Sequence, residues 1–340
     1  NWEGFSLFIS RTSTGLDIGS QSIKLVQVQG RGSKARVKVF GQTPTPRGLM
    51  ENGFITDPDV VGRELGKLVD KLKLRGAKTV SALSGQQVYT RLLTLPAMKL
   101  DEMRHAALYQ ATSFLPISIE DVTTDIYPVR YFEDEEGKQC EVFFVAARKA
   151  QAENLIRTCQ VAGLKLNRVE IEPLALHTLY RQQLNGDQVK GVLNIGSTRS
   201  YLAIFQENIL VFVRFISFGC AAFYQYMMDS GANDVTLEKL DCLDPGCETL
   251  MRDLVSELNR SLDYFRLQSK DEQLSEIILC GGGAQVANIE EYLSREVGLP
   301  VQVGDFTSQI QLPDSIDDKE KSALIFEYPV ALGLAMRGVK

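Results

Sequence analysis

Two stretches of the chain share one pattern of residues able to hold an anion. Residues 16–26 read LDIGSQSIKLV and residues 193–203 read LNIGSTRSYLA. In each, an acid or amide (Asp17, Asn194) stands two residues before a Gly-Ser pair (Gly19 and Ser20, Gly196 and Ser197), with more polar groups just behind it. Glycine lets a ligand approach the backbone, and serine offers a hydroxyl and a free N–H. Successive N–H groups in such a turn form a concavity for an anion. One copy alone is an ordinary hairpin. Two copies, each opening a half of similar length, describe a cleft with donors on both walls. A third element, Gly281-Gly282-Gly283, follows an expected strand and precedes an expected helix, where bare backbone can lie against a flat base.

The surrounding pattern must position these turns. Strands are expected over 15–18, 23–28 and 37–40, then a helix in TDPDVVGRELGKLVDKLKLRG. There Pro58 opens the helix behind a Thr56 or Asp57 cap, and Val61, Leu65, Leu68 and Leu72 form its buried stripe. Residues 88–163 read as an inserted α/β unit: a strand, a helix over 100–114, two strands joined at the acidic tip EDEEGK, and a second helix. NGDQVKG at the midpoint is a hinge candidate, followed by strands over 191–195, 200–205 and 210–217. A mostly helical stretch at 233–269, a strand over 276–280 and a small-residue helix over 328–337 complete the reading.

Composition narrows the class. At 340 residues the chain exceeds the roughly 250–300 at which single cores stop growing. A net charge of −6 gives no general attraction to nucleic acid or anionic lipid. The longest apolar run, residues 209–219, is interrupted by Arg214 and falls short of the ~20 residues of a spanning helix. NWEGFSLFISRTST lacks the order of an export signal, so a cytoplasmic protein is expected. Six scattered cysteines and two histidines read as reduced core and surface residues, and the Cys242/Cys247 spacing is not that of a zinc knuckle.

The paired turns, the glycine triplet and the two small helices, in this order, resemble the actin, heat-shock-70 and sugar-kinase ATPase superfamily. The unit at 88–163 resembles the insertion of the cell-division protein FtsA. Closer still, LDIGSQSIKLVQV, LPAMKLDEMRHAALYQATSFLPISIEDVTTDIYPV, LNRVEIEPLAL, ELNRSLDYF, ILCGGGAQVANIEEYLSREVGLPVQVGDF and YPVALGLAMR resemble the PilM family of type IV pilus assembly proteins, over almost the whole chain. The resemblance implies an α/β, two-lobed actin-like ATPase fold with ribonuclease H-like halves. The expected division is a first lobe of 14–85, 164–187 and 328–340, an FtsA-like insert of 86–163, a second lobe of 188–232 and 275–327, and a helical subdomain of 233–274.

The same resemblance implies ATP and Mg²⁺ between the lobes. Asp17 would hold Mg²⁺ through water, Gly19, Ser20, Gln21 and Ser22 would bind phosphates, and Lys24 would reach the β-phosphate. Gly196, Ser197 and Thr198 would cap the γ-phosphate. Glu257, Arg260 and Ser261, spaced i, i+3, i+4 on one helix, would take ribose and adenine beside Gly282 and Gly283, while Ala331, Gly333 and Ala335 keep the last helix slim at the hinge. Asn194 departs from the acid usual in the superfamily. It can hold a metal-bound water but brings no charge and takes no proton. With no carboxylate or histidine identified beside a water, a slow or inactive nucleotide holder is expected. Its partner would be the N-terminal cytoplasmic peptide of a PilN-like inner-membrane protein, captured beside the insert near RLLTLPAM and SFLPI, which keeps the protein at the inner face of the membrane. Two other classes fit less well. A small-molecule kinase of the superfamily would need a base, with Asp121 and Asp125 the only candidates, and an FtsA-like filament would need a membrane contact such as GFSLFIS.

Overall fold

The structure is a computed structural model that describes residues 12–30, 32–231, 236–269, 272–313 and 315–339. GFSLFIS, weighed above as a membrane contact, lies outside the described residues. The first lobe opens with β1 (Thr12–Ile18), β2 (Ser22–Gln29) and β3 (Arg36–Pro44). A small hairpin of β4 (Met50–Glu51) and β5 (Phe54–Ile55), helix α1 (Pro58–Lys71) and β6 (Lys78–Leu83) follow. The Asp57 carboxylate accepts from the N–H groups of Asp59 and Val60 and caps α1, whose buried face includes Val61, Leu65 and Leu68.

The insert comprises β7 (Val88–Pro96), α2 (Leu100–Ala111), β8 (Val122–Asp134), β9 (Gly137–Arg148) and α3 (Lys149–Val161). Its three strands form an antiparallel sheet in the order β7-β9-β8. Leu93 and Leu95 of RLLTLPAM are buried there with Met103 and Phe144, so that segment is largely insert core. Helix α3 lies within the 86–163 unit, yet it packs on α1 in the first lobe. Gly62 of α1 makes this close approach possible, since a Cβ there would sit 2.6 Å from Val161 Cβ. Strand β10 (Lys165–Ile171) then rejoins the first sheet, and α4 (Glu172–Leu179) and α5 (Arg181–Leu184) lead out of it.

The second lobe repeats the plan with β11 (Lys190–Ile195), β12 (Ser200–Gln206), β13 (Ile209–Ile216), α6 (Cys220–Asp229), α7 (Pro245–Gln268), β14 (Glu276–Cys280), α8 (Ile289–Val297) and β15 (Val301–Val303). The sheets run β10-β6-β1-β2-β3 and β13-β12-β11-β14-β15. In both, the opening strand is central, two antiparallel strands continue on one side, and two parallel strands lie on the other. β12 (SYLAIFQ) is buried on both faces, as its nearly unbroken apolar run requires.

Helices α9 (Asp318–Phe326) and α10 (Pro329–Gly338) close the fold. α10 lies on β1 and crosses α4 at very short range. A Cβ on Gly15 would meet the Ala331 carbonyl oxygen at 1.9 Å, and one on Gly333 would meet the Ala175 oxygen at 2.1 Å. One continuous core therefore runs from the first sheet through α4 and α10 to Ala203 and Phe205 on the near face of the second sheet. The far face of that sheet packs on α6, α7 and α8. No helix among the described residues is long and apolar enough to cross a membrane.

Candidate functional site

The β1–β2 and β11–β12 turns close in the same way. The Gly19 N–H donates to the Ser22 carbonyl at 3.0 Å, and the Gly196 N–H donates to the Arg199 carbonyl at 3.1 Å. Both turns face one cleft between the lobes, and they touch, with the Thr198 hydroxyl 3.1 Å from that of Ser20. The start of α6 props up the second turn, since the N–H groups of Cys220 and Ala221 donate to the carbonyls of Gly196 and Ser197.

The registers behind the turns explain what differs between them. In the first, Asp17 lies opposite Lys24, with Nζ 3.5 Å from Oδ2 and both side chains mostly shielded. In the second, the equivalent positions are Asn194 and Tyr201. An ion pair has become a neutral pair, so the Asp-to-Asn change comes with loss of its countercharge.

Asp17, Gly19, Ser20, Gln21, Ser22 and Lys24 line the cleft from the first lobe, and Asn194, Gly196, Ser197 and Thr198 from the second. Gly281 also reaches the wall, at φ +88°, where a Cβ would strike Asn194 Oδ1 at 2.4 Å. Gly282 and Gly283 do not line it. They open a turn over Gly282–Gln285, and Cβ atoms on them would face Cys220 and Ile195. Glu257, Arg260 and Ser261 are not brought to the cleft either. Arg260 donates to the Glu257 carboxylate at 2.6 Å, while Ser261 is buried and donates to the Glu257 carbonyl one turn back. Asp121 and Asp125 belong to the insert and do not line the cleft; His105 is exposed on α2.

Glu172 and Arg199 also line the cleft, beyond the residues expected from the sequence, which included no carboxylate to act on a water. Glu172, the first residue of α4, stands where β10 ends. Burial and the neighbouring Asp17 charge push its carboxyl up to about 7, against the pull of Arg199, Ser84 and Lys24. Arg199 follows Thr198 and crosses to the first lobe; burial lowers its guanidinium pKa, and Glu172 opposes that. The signal for Glu172 was its place in VEIEP, a carboxylate between a strand end and the proline of a helix start.

The donor set suits phosphate. Ser197 Oγ and Arg199 Nη1 are buried without a hydrogen-bond partner among the described residues, and the Lys24 ammonium stands across from them. The cleft encloses about 120 Å³, below the roughly 300–1,000 Å³ of drug-sized ligand pockets, so it matches phosphates rather than a whole nucleotide. No group of three or more His, Cys, Asp or Glu that could hold a metal occurs among the described residues. Asp17 is a cleft carboxylate that could hold Mg²⁺, an ion that commonly takes its other ligands from phosphate and water.

A second cavity of about 220 Å³ adjoins the first. It lies between β7 and β13, edge strands of the insert and of the second lobe. Val88, Phe114, Ile171, Pro173, Val213 and Phe215 make it largely apolar, while Ser84 and Glu172 line both cavities. Phe114 is the part of SFLPI that reaches it, with the Arg91 guanidinium 4.6 Å from its ring centre.

A family model described as type IV pilus assembly protein PilM matches residues 15–339. Among solved structures, the PilM-PilN type IV pilus biogenesis complex is similar with a TM-score of 0.85 and 27% identity, over 96% of this chain and 98% of that one. The ethanolamine utilization protein EutJ from Carboxydothermus hydrogenoformans is similar with a TM-score of 0.50 and 14% identity, over 96% of this chain and 89% of that one, a likeness of fold alone. The fold is the two-lobed, α/β actin-like ATPase fold, and the chain belongs to the PilM family of type IV pilus assembly proteins.

Proposed function

We propose that the protein is a nucleotide-holding scaffold of type IV pilus biogenesis that captures the cytoplasmic N-terminal peptide of a PilN-like inner-membrane protein. The observation that carries the nucleotide half is the pair of matching turns, with unpartnered donors at Ser197 and Arg199 facing Lys24. ATP would place its phosphates between the turns, with Mg²⁺ held by Asp17 and, through water, by Asn194. The nucleoside would enter only as the lobes part. In this reading each piece of the four-part division has its own role. The two lobes clamp, the insert takes the peptide, and the helical subdomain backs the second sheet.

The peptide half rests on family membership and on the solved PilM-PilN complex. An extended peptide would lie in the apolar groove between β7 and β13, where side chains fill pockets and edge strands offer main-chain partners. Recruitment through that peptide would hold the protein at the inner face of the membrane. Slow turnover now rests on Asn194 alone, because Glu172 does supply a cleft carboxylate.

Two measurements test the reading. Protein purified without added nucleotide should yield ATP or ADP by mass spectrometry of its denatured extract. A synthetic peptide of the PilN-like cytoplasmic segment should bind, and Phe215→Ala should weaken it. A chain that neither carries nor takes up nucleotide, or a peptide indifferent to Phe215→Ala, defeats the corresponding half.

A further inference from the structure

Arg199 belongs to the second lobe, yet its side chain rests on the joint where the first lobe hands the chain to the insert. Ser84 and Gly85 form that joint, just after β6 and before β7. A Cβ on Gly85 would lie 2.6 Å from Arg199 Nη1, and one on Gly53 would lie 2.8 Å from Nη2. Both glycines have positive φ, so the guanidinium fills space that only glycine leaves open. Nη2 stands 3.5 Å from the Ser84 hydroxyl. Gln151 fixes the joint from α3, donating to the carbonyls of Gly53 at 2.8 Å and Ser84 at 2.7 Å.

The same guanidinium looks both ways. Its Cζ lies 5.9 Å from the ring centre of Phe215, a groove residue, which is cation–π range. Arg199 also lines the cleft, and its Nη1 is buried without a hydrogen-bond partner among the described residues. We infer that Arg199 is a positioning residue that couples the groove to the cleft, so that a peptide in one and a nucleoside triphosphate in the other tighten each other's binding. The inference rests on the proposed function. A peptide packed on Phe215 strips water from one flank of Arg199 and holds the guanidinium over the joint. A terminal phosphate accepts from Nη1 and holds the same group from the other side. Whichever ligand arrives second finds the arginine already ordered, and linkage requires the two effects to be equal.

The test uses the full chain, Mg-ATP, and a synthetic peptide of the PilN-like cytoplasmic segment. ATP is titrated with and without saturating peptide, and peptide with and without saturating ATP. Wild type should show tightening by the same factor in both directions, about fivefold or more. In Arg199→Lys that factor should fall to within twofold of one, whatever the variant does to either affinity alone. As a readout free of substitution, peptide alone should slow amide hydrogen exchange in the turn at residues 196–199 of the wild-type protein. If both ligands bind wild type independently, if Arg199→Lys keeps the full factor, or if exchange at 196–199 ignores the peptide, the coupling is overturned. If either ligand fails to bind wild type by itself, the proposed function falls first and takes the coupling with it.

Discussion

The hydroxyl of Thr198 donates to that of Ser20 across the mouth of the cleft, joining turns that stand 178 residues apart in the chain. These two groups are also among those expected to receive phosphate. They satisfy each other, so a nucleotide that binds them must replace one contact with another. Thr198→Val should weaken ATP about fivefold, the value of roughly one neutral hydrogen bond, and leave ADP within about twofold. Parallel calorimetric titrations of ATP and ADP check this; an equal loss for both would move Thr198 away from the terminal phosphate.

Lys24 faces Asp17 in a setting where each side chain keeps only 14% and 13% of its exposure, so screening by water is limited. Lys24→Ala removes a charged donor to phosphate and strips Asp17 of its partner. A charge-assisted hydrogen bond is worth roughly 1.5–3 kcal/mol, so ATP should bind on the order of 10- to 100-fold more weakly. Thermal melts give a second view. Saturating ATP at about 100 times Kd should add about 2.7 kcal/mol to wild-type stability, and the variant should gain much less at the same concentration.

Glu172 ties stability to pH. Its carboxyl rises from an ordinary 4.5 to about 7 on folding, chiefly through burial. A raised carboxyl pKa means that the folded state holds the proton more tightly. The penalty for ionising it is absent below about pH 4.5, grows through the window, and is complete above about pH 7. The stability of Glu172→Gln relative to wild type should therefore increase from pH 4.5 to 7 and then level off. Chemical denaturation at several pH values measures this difference; a flat difference would place the carboxylate in contact with water.

Asn194 and Tyr201 make the second turn uncharged where the first has an ion pair. With no acid on the γ-phosphate side, turnover of bound ATP should stay below the ~1–100 s⁻¹ of kinases. Asn194→Asp should speed single-turnover phosphate release by roughly tenfold, the effect of one regained charge-assisted contact of about 1.5 kcal/mol. Adding Glu172→Gln should cancel that gain if Glu172, a carboxylate lining the cleft, takes the proton. Fast release in the unmodified chain would count against a holder.

The turns were legible in the sequence because their signal is local and doubled. Gly19 and Gly196 close equivalent hairpins, and the strands behind them carry the periodicity of buried sheets. Arg199 was not legible, and Glu172 only through its place between a strand end and a helix-opening proline. Each is a single charged residue without characteristic spacing, and its environment comes from partners far away in the chain, Asp17 and Ser84 among them. The helix triplet shows the opposite limit. Spacing correctly places Glu257 and Arg260 within reach of each other, but Ser261 turns inward because its neighbours Leu258 and Leu262 set the buried face. Helical periodicity reveals which residues are adjacent, and only packing decides which way the helix is rolled.

The contact of Gly15 with Ala331 orders events during synthesis. β1 is made early, but the helix that covers it is made some three hundred residues later, and no side chain larger than glycine's hydrogen fits between them. The second sheet draws all its strands from one interval, Lys190 to Val303, and can assemble as soon as that interval leaves the ribosome. The first sheet waits, its apolar face open to chaperones or to misplaced partners, until α10 emerges. Newly made protein should thus acquire protease resistance in its later half before its earlier half.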